Sequence, residues 1–218
     1  MIKAKEVSKK FGQKEVISNV SLDISAGEVV GLVGLNGAGK TTLLRLLLGL
    51  INADNGFCEI FGERVSPKSP SVLRNVGIIL ENDGFNGNLS FVENMRFFAK
   101  IKRVSENNLQ NYLDGNWTDL LHKKNAVKLF SKGEKMQCAI ARAFLNEPKA
   151  IILDEPTTGL DYKQCEKLFN LTKLAQKNGA AIIISSHNFF ALDKLCTRIL
   201  ELNNAKLKDI GNGFFNNI

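Results

Sequence analysis

Short apolar runs alternate with stretches of helical periodicity along most of the chain. Wholly apolar runs bounded by turn residues are typical of strands buried in a parallel sheet. These runs, with shorter alternating ones, predict strands at residues 20–25, 28–33, 57–62, 76–80, 149–153, 180–185, 198–202 and 205–210. Amphipathic stretches predict helices at residues 42–48, 162–177 and 188–196. Strands that alternate with helices predict a mainly parallel, doubly wound sheet, and therefore the α/β class.

The segments between these elements are rich in glycine, asparagine and proline. Residues 1–30 alternate short apolar stretches with turns, and Asn52–Gly56 has the composition of a hairpin loop. Pro67–Pro70 indicates a surface loop, and the glycine- and asparagine-rich stretch 82–88 indicates a hinge. Asn203-Asn204 is typical of a hairpin turn between the last two strands.

The stretch from residue 83 to residue 147 shows helical patterning and no predicted strand. Ser90 and Glu93 have the spacing of a capping box, and apolar side chains at helical intervals follow them. We therefore expect residues 83–147 to form a helical insertion. Residues 1–82 and 148–218 would form the α/β core.

A glycine-rich turn lies between the strand at 28–33 and the helix after it. The phosphate-binding pattern Gly-x-x-x-x-Gly-Lys-Thr is matched by Gly34-Leu35-Asn36-Gly37-Ala38-Gly39-Lys40-Thr41. The backbone N–H groups and dipole of a helix N-terminus favour an anion, and glycines let the backbone curl around phosphate oxygens. We expect Lys40 to reach the outer phosphates and Thr41 to bind Mg²⁺. A glycine turn formed by chance is the alternative, and the strand–helix context disfavours it.

Two adjacent carboxylates end another apolar strand. Asp154 and Glu155 follow the run Ala150–Leu153. A carboxylate at the carboxyl end of a parallel strand, beside a phosphate loop, can hold Mg²⁺, and we assign that role to Asp154. Glu155 is placed to polarise a water for attack on the γ-phosphate. An isolated Asp-Glu-Pro sequence is more often a turn at a strand end, so only the phosphate loop makes the catalytic interpretation the better one.

Two further features are ambiguous in the sequence. Ser131–Glu134 fits a capping box, which is a structural feature, but the same geometry offers a helix N-terminus to a phosphate. His187 ends a strand of the same predicted sheet as Asp154, which would let it face the same crevice. A lone histidine, however, is more often a hydrogen-bonded structural residue.

Composition narrows the class of protein. The 218 residues are 44% apolar and carry 29 basic against 22 acidic side chains, a net charge of +7. A basic protein can bind nucleic acid or an acidic membrane surface, but a soluble basic protein that binds neither is equally compatible with this charge. The charged N-terminus has no apolar signal core, and no apolar run approaches the roughly 18 residues of a membrane span. The four cysteines lack metal-ligand spacing, so we expect reduced thiols in a soluble intracellular protein.

The order of the motifs resembles the nucleotide-binding domain of an ABC ATPase, over essentially the whole chain. The residues that carry the resemblance are Gly34–Thr41, Glu81, Ser131–Glu134, Asp154–Glu155, Asp161 and His187. The resemblance implies a P-loop NTPase fold with a mainly parallel core sheet, a small antiparallel β-subdomain and an inserted helical subdomain. Its implied cofactors are ATP and Mg²⁺.

The resemblance also assigns a role to each motif. Glu155 matches the catalytic glutamate, and His187 matches the switch histidine that contacts the γ-phosphate. Phe11 occupies the place of an aromatic residue that stacks on adenine. The implied nucleotide contacts fall into four groups. They are Phe11 at the adenine; Gly34, Leu35, Asn36, Gly37, Ala38, Gly39, Lys40, Thr41 and Thr42 in and directly after the phosphate loop, which the family calls Walker A; Ser131 and Gly133 in the signature motif; and Asp161 in the D-loop. The implied Mg²⁺ ligands are Thr41, Glu81 and Asp154.

Three positions depart from the family's usual residues. The signature motif, usually Leu-Ser-Gly-Gly-Gln, reads Phe130-Ser131-Lys132-Gly133-Glu134, so the serine and second glycine remain and a negative charge is added. Glu81 replaces the Q-loop glutamine and can still ligate Mg²⁺. Phe11 lacks the usual tyrosine hydroxyl. The stretch around Glu81 resembles the ATPases of bacitracin-resistance and lantibiotic-immunity exporters.

The resemblance implies the ATPase of a membrane exporter, working as a head-to-tail dimer. Each ATP would lie between Gly34–Thr41 of one chain and Ser131–Gly133 of the other. The implied partners are an integral membrane permease and a second nucleotide-binding domain, on the cytoplasmic face of the cell membrane, and no nucleic acid is expected. Two alternatives stay open: a soluble ABC ATPase in iron–sulfur assembly or nucleic-acid work, and a weakly hydrolysing subunit of a heterodimer.

Overall fold

The chain folds into two β-sheets with helices beside and between them. The computed structural model describes residues 1–68, 70–81, 84–187, 192 and 195–211. The strands are β1 (Ile2–Phe11), β2 (Lys14–Ile24), β3 (Val29–Val33), β4 (Asn55–Ile60), β5 (Glu63–Arg64), β6 (Val76–Ile79), β7 (Ala150–Asp154), β8 (Ala181–Ser185), β9 (Arg198–Asn203) and β10 (Lys206–Asp209). The α-helices are α1 (Lys40–Leu47), α2 (Phe91–Lys102), α3 (Glu106–Asn116), α4 (Thr118–Leu121), α5 (Lys132–Phe144) and α6 (Tyr162–Lys177).

The larger sheet has the strand order β10-β9-β3-β8-β7-β6. It is parallel except for the antiparallel hairpin of β9 and β10. Every residue of β3, β7 and β8 is buried, because helices or the second sheet cover both faces of a parallel sheet and polar positions would be desolvated there. The predicted α/β class and parallel core are therefore confirmed, and the parallel strands all end at one edge.

The smaller sheet is antiparallel, in the order β2-β1-β4-β5. The expectation of short, interrupted stretches within residues 1–30 was wrong, because β1 and β2 span 10 and 11 residues. Their pairing shifts register between Ala4 and Lys10, and Glu6 has a φ of 50°. Such bulges break the two-residue alternation that identifies a strand, so two long strands looked like short pieces.

The prediction of a hairpin loop at Asn52–Gly56 was also wrong, because this segment does not join two paired strands. It joins α1 to β4, which begins at Asn55 and pairs with β1 rather than with the preceding element. Gly56 has a φ of 73°, and a Cβ there would lie 2.2 Å from the carbonyl oxygen of Lys5. Glycine is therefore required by close backbone packing in the sheet and not by a two-residue turn.

Helices α2 to α5 follow one another between β6 and β7, with a 3₁₀ turn at Val127–Leu129 before α5. Within residues 84–147 the structure shows no strand, and the β-type pairing there is an isolated bridge between Ser90 and Ala126. The predicted capping box at Ser90 and Glu93 is present at the start of α2. Phe91 and Trp117 are buried at the centre of this region, in the same apolar cluster as β7 and β8. Helix α5 packs on β6, which fixes its N-terminus relative to the core sheet.

Some predictions fall outside the described residues. Ser69 of the predicted surface loop and Asn82 and Asp83 of the predicted hinge belong to this group, as does most of the helix predicted at 188–196. Within the described ranges, no helix is both long enough and apolar enough to cross a bilayer.

Candidate functional site

Several chemically active side chains meet at the carboxyl edge of the parallel sheet. The phosphate loop follows β3, Asp154 ends β7 and Ser185 ends β8. A cleft of about 340 Å³ opens there, lined by Val16, Asn36, Gly37, Gly39, Lys40, Thr41, Thr42, Asp154 and Glu155. The structure thus brings the predicted loop and the predicted carboxylates together, at the place where α/β sheets bind their ligands.

The phosphate loop is held tightly against the start of α1. Gly39 precedes the helix with a φ of 107°, and a Cβ on it would lie 2.8 Å from Cγ1 of Val16. Lys40 is only 7% exposed. Its Nζ donates hydrogen bonds to the carbonyl oxygens of Gly34 (2.8 Å) and Leu35 (3.4 Å) and lies 4.0 Å from Oε1 of Glu155. The ammonium group is therefore already positioned inside the curl of the loop.

Asp154 is the centre of a hydrogen-bond network that spans three elements. The Thr41 hydroxyl donates to Oδ2 of Asp154 at 2.5 Å, and the Ser185 hydroxyl donates to Oδ1. Asp154 and Ser185 are register partners in β7 and β8, so their side chains lie on the same face of the sheet. The Thr41 and Asp154 oxygens are hard donors side by side, which is the donor type that Mg²⁺ prefers.

Glu155 and His187 form a pair at the rim of the cleft. Nδ1 of His187 lies 2.7 Å from Oε2 of Glu155. An ionised carboxylate can only accept, so Nδ1 carries the hydrogen of this bond and Nε2 remains available for another contact. The main chain of Glu155 has a φ of 48°, and its N–H donates to both the carbonyl oxygen and the hydroxyl of Ser185. Such backbone conformations cluster at functional sites.

Ser131 and Gly133 lie at the N-terminus of α5, beside the turn that leads into α6. Ser131 caps α5 and Glu134 completes the capping box. A Cβ on Gly133 would lie 2.5 Å from the carbonyl oxygen of Gly159. Asp161 caps α6 in a capping box with Gln164. These residues therefore have satisfied structural roles within the chain, and they line no part of the cleft around Lys40.

Phe11 and Glu81 also lie apart from the lining of that cleft. Phe11 ends β1 with its ring half exposed, and Nζ of Lys9 lies 5.6 Å from the ring centroid. The Glu81 carboxylate lies 3.9 Å from Nη2 of Arg45, and its side chain is 84% exposed. Their roles in adenine stacking and Mg²⁺ binding stay predictions.

Sequence reasoning missed the contributions of Ser185 and Val16. Ser185 appeared only as the end of a strand, and its position beside Asp154 depends on the register of β7 against β8, which neither strand shows by itself. Val16 lies against Gly39 and lines the cleft. Its contact joins β2 to the phosphate loop, and such a long-range contact leaves no local pattern in the sequence.

Comparison with sequence families agrees with this geometry. The profile of the ABC transporter family matches residues 17–158. The bacitracin transport ATP-binding protein BcrA of Bacillus licheniformis is 36% identical over 95% of this chain and 68% of its own length. The lantibiotic transport ATP-binding protein SrtF of Streptococcus pyogenes is 35% identical over 86% of this chain and 80% of its own. The chain spans about two thirds of the length of several curated relatives.

Comparison with solved structures also finds ATP-binding cassettes of ABC transporters. The dimeric ATP-binding cassette MJ0796, in a post-hydrolysis state bound to ADP and Pi, superposes with a TM-score of 0.87 at 25% identity. The match covers 98% of this chain and all of that one. The similarity therefore extends over both sheets and the helices between β6 and β7.

Proposed function

Because this chain belongs to the ABC transporter family, as an ATP-binding and ATP-hydrolysing subunit, we propose that it powers export of a peptide, drug or similar amphiphile through a membrane permease. The observation that carries the ATPase chemistry is the meeting of Lys40, the Thr41–Asp154 contact and the Glu155–His187 pair in one cleft. The similarity to BcrA and SrtF, whose names record transport of bacitracin and of a lantibiotic, supports the type of substrate.

The phosphate loop would bind the triphosphate of ATP. Residues Gly34 to Thr42 surround the N-terminus of α1, where backbone N–H groups and the helix dipole favour an anion. Lys40 would exchange its hydrogen bonds to the carbonyl oxygens of Gly34 and Leu35 for the outer phosphates. Because the loop already holds the ammonium group in place, little side-chain entropy is lost on binding.

The residues present fit Mg²⁺. Thr41 and Asp154 supply the two protein oxygens, and Ser185 orients the Asp154 carboxylate from behind. The bound ion would supply charge neutralisation at the phosphate oxygens. Glu81 is the third ligand that the sequence suggests, and it would have to leave Arg45 to contribute.

Glu155 would act as the general base or as the residue that orients the attacking water. Its carboxylate is accessible at the rim of the cleft and is held by His187 from one side and by Lys40, at 4.0 Å, from the other. With Nδ1 bound to Glu155, Nε2 of His187 is the atom left to contact a γ-phosphate. Both side chains approach the same cleft from neighbouring strands, which favours this division of roles.

The second half of each ATP site would come from another copy of the chain or a related one. Ser131 and Gly133 present a helix N-terminus on the protein surface, and Asp161 lies on the turn packed against it. A phosphate bound by Lys40 and Thr41 of one chain would meet this surface of a second chain. The dimeric arrangement of the similar cassette MJ0796 supports the proposal.

The permease would dock in a cleft of about 790 Å³ between the core sheet and α2. Its lining combines apolar and basic side chains, among them Leu80, Ile101 and Lys102, and Phe97 on the same helix is 57% exposed. An exposed apolar patch with a basic rim is typical of a protein interface.

We further propose residues 83–147 as the helical subdomain, residues 1–82 and 148–218 as the nucleotide-binding core, and a peripheral position on the cytoplasmic face of the membrane.

Two experiments test these proposals. The purified chain should hydrolyse Mg-ATP, and Glu155→Gln should bind ATP without turnover, while the exposed control Glu166→Gln keeps full activity. Normal turnover by Glu155→Gln would refute the assignment of Glu155. For the partner, Ile101→Glu should abolish co-purification with an integral membrane protein and leave basal ATPase activity intact. The control Leu174→Glu on α6 should leave both co-purification and ATPase activity unchanged. Stimulation by DNA or RNA and no membrane partner would refute the transporter role.

A further inference from the structure

A carboxylate lies in the first turn of α5, where the proposed function brings a phosphate. Glu134 follows Ser131 by three residues, and Gly133 lies between them in the same turn. A negative charge near a helix N-terminus stabilises the helix itself. The same charge repels the γ-phosphate of an incoming ATP, so a helix that must accept phosphate cannot carry it uncompensated.

The structure shows how this charge is compensated. Oε2 of Glu134 accepts a hydrogen bond from the N–H of Ser131 at 2.7 Å, which closes the capping box. Oε1 lies 2.5 Å from Nζ of Lys123. Both carboxylate oxygens are therefore engaged, and Lys123 and the Ser131 N–H lower the pKa of Glu134 to about 2. The carboxylate stays ionised at neutral pH, with a cation in direct contact.

Lys123 is held in place from a second side. It lies just after α4, and Nζ is 5.8 Å from the ring centroid of Phe130, the buried residue immediately before Ser131. A cation over an aromatic face is attracted to it. The two contacts direct Lys123 towards the start of α5, although it is eight residues away from Ser131 in sequence and its side chain is 42% exposed.

We propose that Lys123 is a positioning residue of the shared ATP site, which neutralises Glu134 so that the N-terminus of α5 can accept the γ-phosphate of ATP bound to a second chain. The inference rests on the proposed function. This role of Lys123 explains how the chain can have a capping carboxylate, Glu134, in the signature motif and still bind a phosphate there. Lys123 itself need not touch the nucleotide.

A double-mutant cycle tests the proposal, with the KM for ATP and ATP-dependent dimerisation as measurements. Lys123→Met leaves Glu134 uncompensated and should raise the KM roughly ten-fold, since one unscreened charge acts at short range on a polyanion. Glu134→Gln keeps an acceptor for the Ser131 N–H and removes the charge, so its KM should be at or below the wild-type value. The combined variant should return to within about two-fold of Glu134→Gln. Lys123→Arg should behave as the wild type, and Lys124→Met is the matched control on the same loop.

A second measurement separates the shared site from the phosphate loop of the same chain. The affinity of the isolated monomer for a fluorescent ATP analogue should not change in Lys123→Met, because the phosphate loop of its own chain is intact. Equal impairment of Lys123→Met and the combined variant would mean that Lys123 acts by packing on Phe130, and would overturn the proposal. An unchanged KM in Lys123→Met would do the same. A wild-type chain with no ATPase activity would refute the proposed function itself, and the shared site with it.

Discussion

Replacing Ser185 by alanine would test the network that holds Asp154. The Ser185 hydroxyl is fully buried, donates to Oδ1 of Asp154 and accepts the N–H of Glu155 at 3.0 Å. Alanine removes both interactions and introduces no clash. Among the contacts of the described residues, the Asp154 carboxylate would retain the Thr41 hydroxyl, and the Glu155 N–H would retain the Ser185 carbonyl oxygen at 3.2 Å.

The expected magnitudes follow from these contacts. A hydrogen bond to a charged group contributes about 1.5–3 kcal/mol, so the free energy of unfolding should fall by about 2 kcal/mol. The loss of a group that orients a metal ligand typically costs about 10–100-fold in metal affinity or activity. We therefore expect the Mg²⁺ concentration for half-maximal ATPase activity to rise by about ten-fold or more.

Urea unfolding and Mg²⁺ titration of the ATPase activity provide the two measurements. Thr172→Val is the matched control, since its buried hydroxyl donates to the Leu168 carbonyl oxygen inside α6, away from the cleft. It should lower the free energy of unfolding by about 1 kcal/mol and leave the Mg²⁺ dependence unchanged. If Ser185→Ala loses stability without any change in Mg²⁺ dependence, then Ser185 does not orient a metal ligand, and that part of the account is wrong.

Further predictions concern the N-terminus of α5. In Gly133→Ala the new Cβ would lie 2.5 Å from the Gly159 carbonyl oxygen, so we expect a free energy of unfolding lower by about 1–3 kcal/mol and loss of most ATPase activity; wild-type values for both would contradict the packing. Gly115→Ala in α3, where an added Cβ would meet no atom within 4 Å apart from its chain neighbours and the backbone of its own helix, should instead raise the free energy of unfolding by about 0.5–1 kcal/mol. Lys123 and the Ser131 N–H lower the pKa of Glu134 in the folded chain to about 2. The stability difference between the wild type and Glu134→Gln should therefore be constant above about pH 5 and vanish as the pH falls towards about 2. A difference that stays constant over that range would refute the capping contact.

The parts of the fold that depend on local pattern could be predicted from the sequence. Helix α6 was predicted at its observed bounds from the amphipathic stretch at 162–177 and from Asn178-Gly179, which ends it. The capping box of Asp161 and Gln164 that begins the helix was recognised only in the structure. The buried strands β3, β7 and β8 were predicted because parallel strands covered on both faces must be apolar throughout. The phosphate loop, Asp154 and Glu155 were placed together because parallel strands end at one edge.

The rest depends on contacts between segments that are distant in sequence. The register of β7 against β8 places Ser185 beside Asp154, and nothing in either strand alone shows it. The ion pair of Lys123 with Glu134 depends on how the loop after α4 folds back on Phe130. The resemblance to a family gave Glu81 a role but not its observed contact, because the contact with Arg45 depends on the side chain that α1 presents.

The central claim is that the phosphate loop is half of a site completed by the α5 N-terminus of a second chain. Size-exclusion chromatography with light scattering, applied to Glu155→Gln with and without Mg-ATP, tests it most directly. We expect a monomer without nucleotide and a particle of twice the mass with ATP. Adding Ser131→Arg should abolish the dimer while ATP binding to the monomer persists. A Glu155→Gln chain that binds ATP and stays monomeric, or a dimer unaffected by Ser131→Arg, would contradict the account.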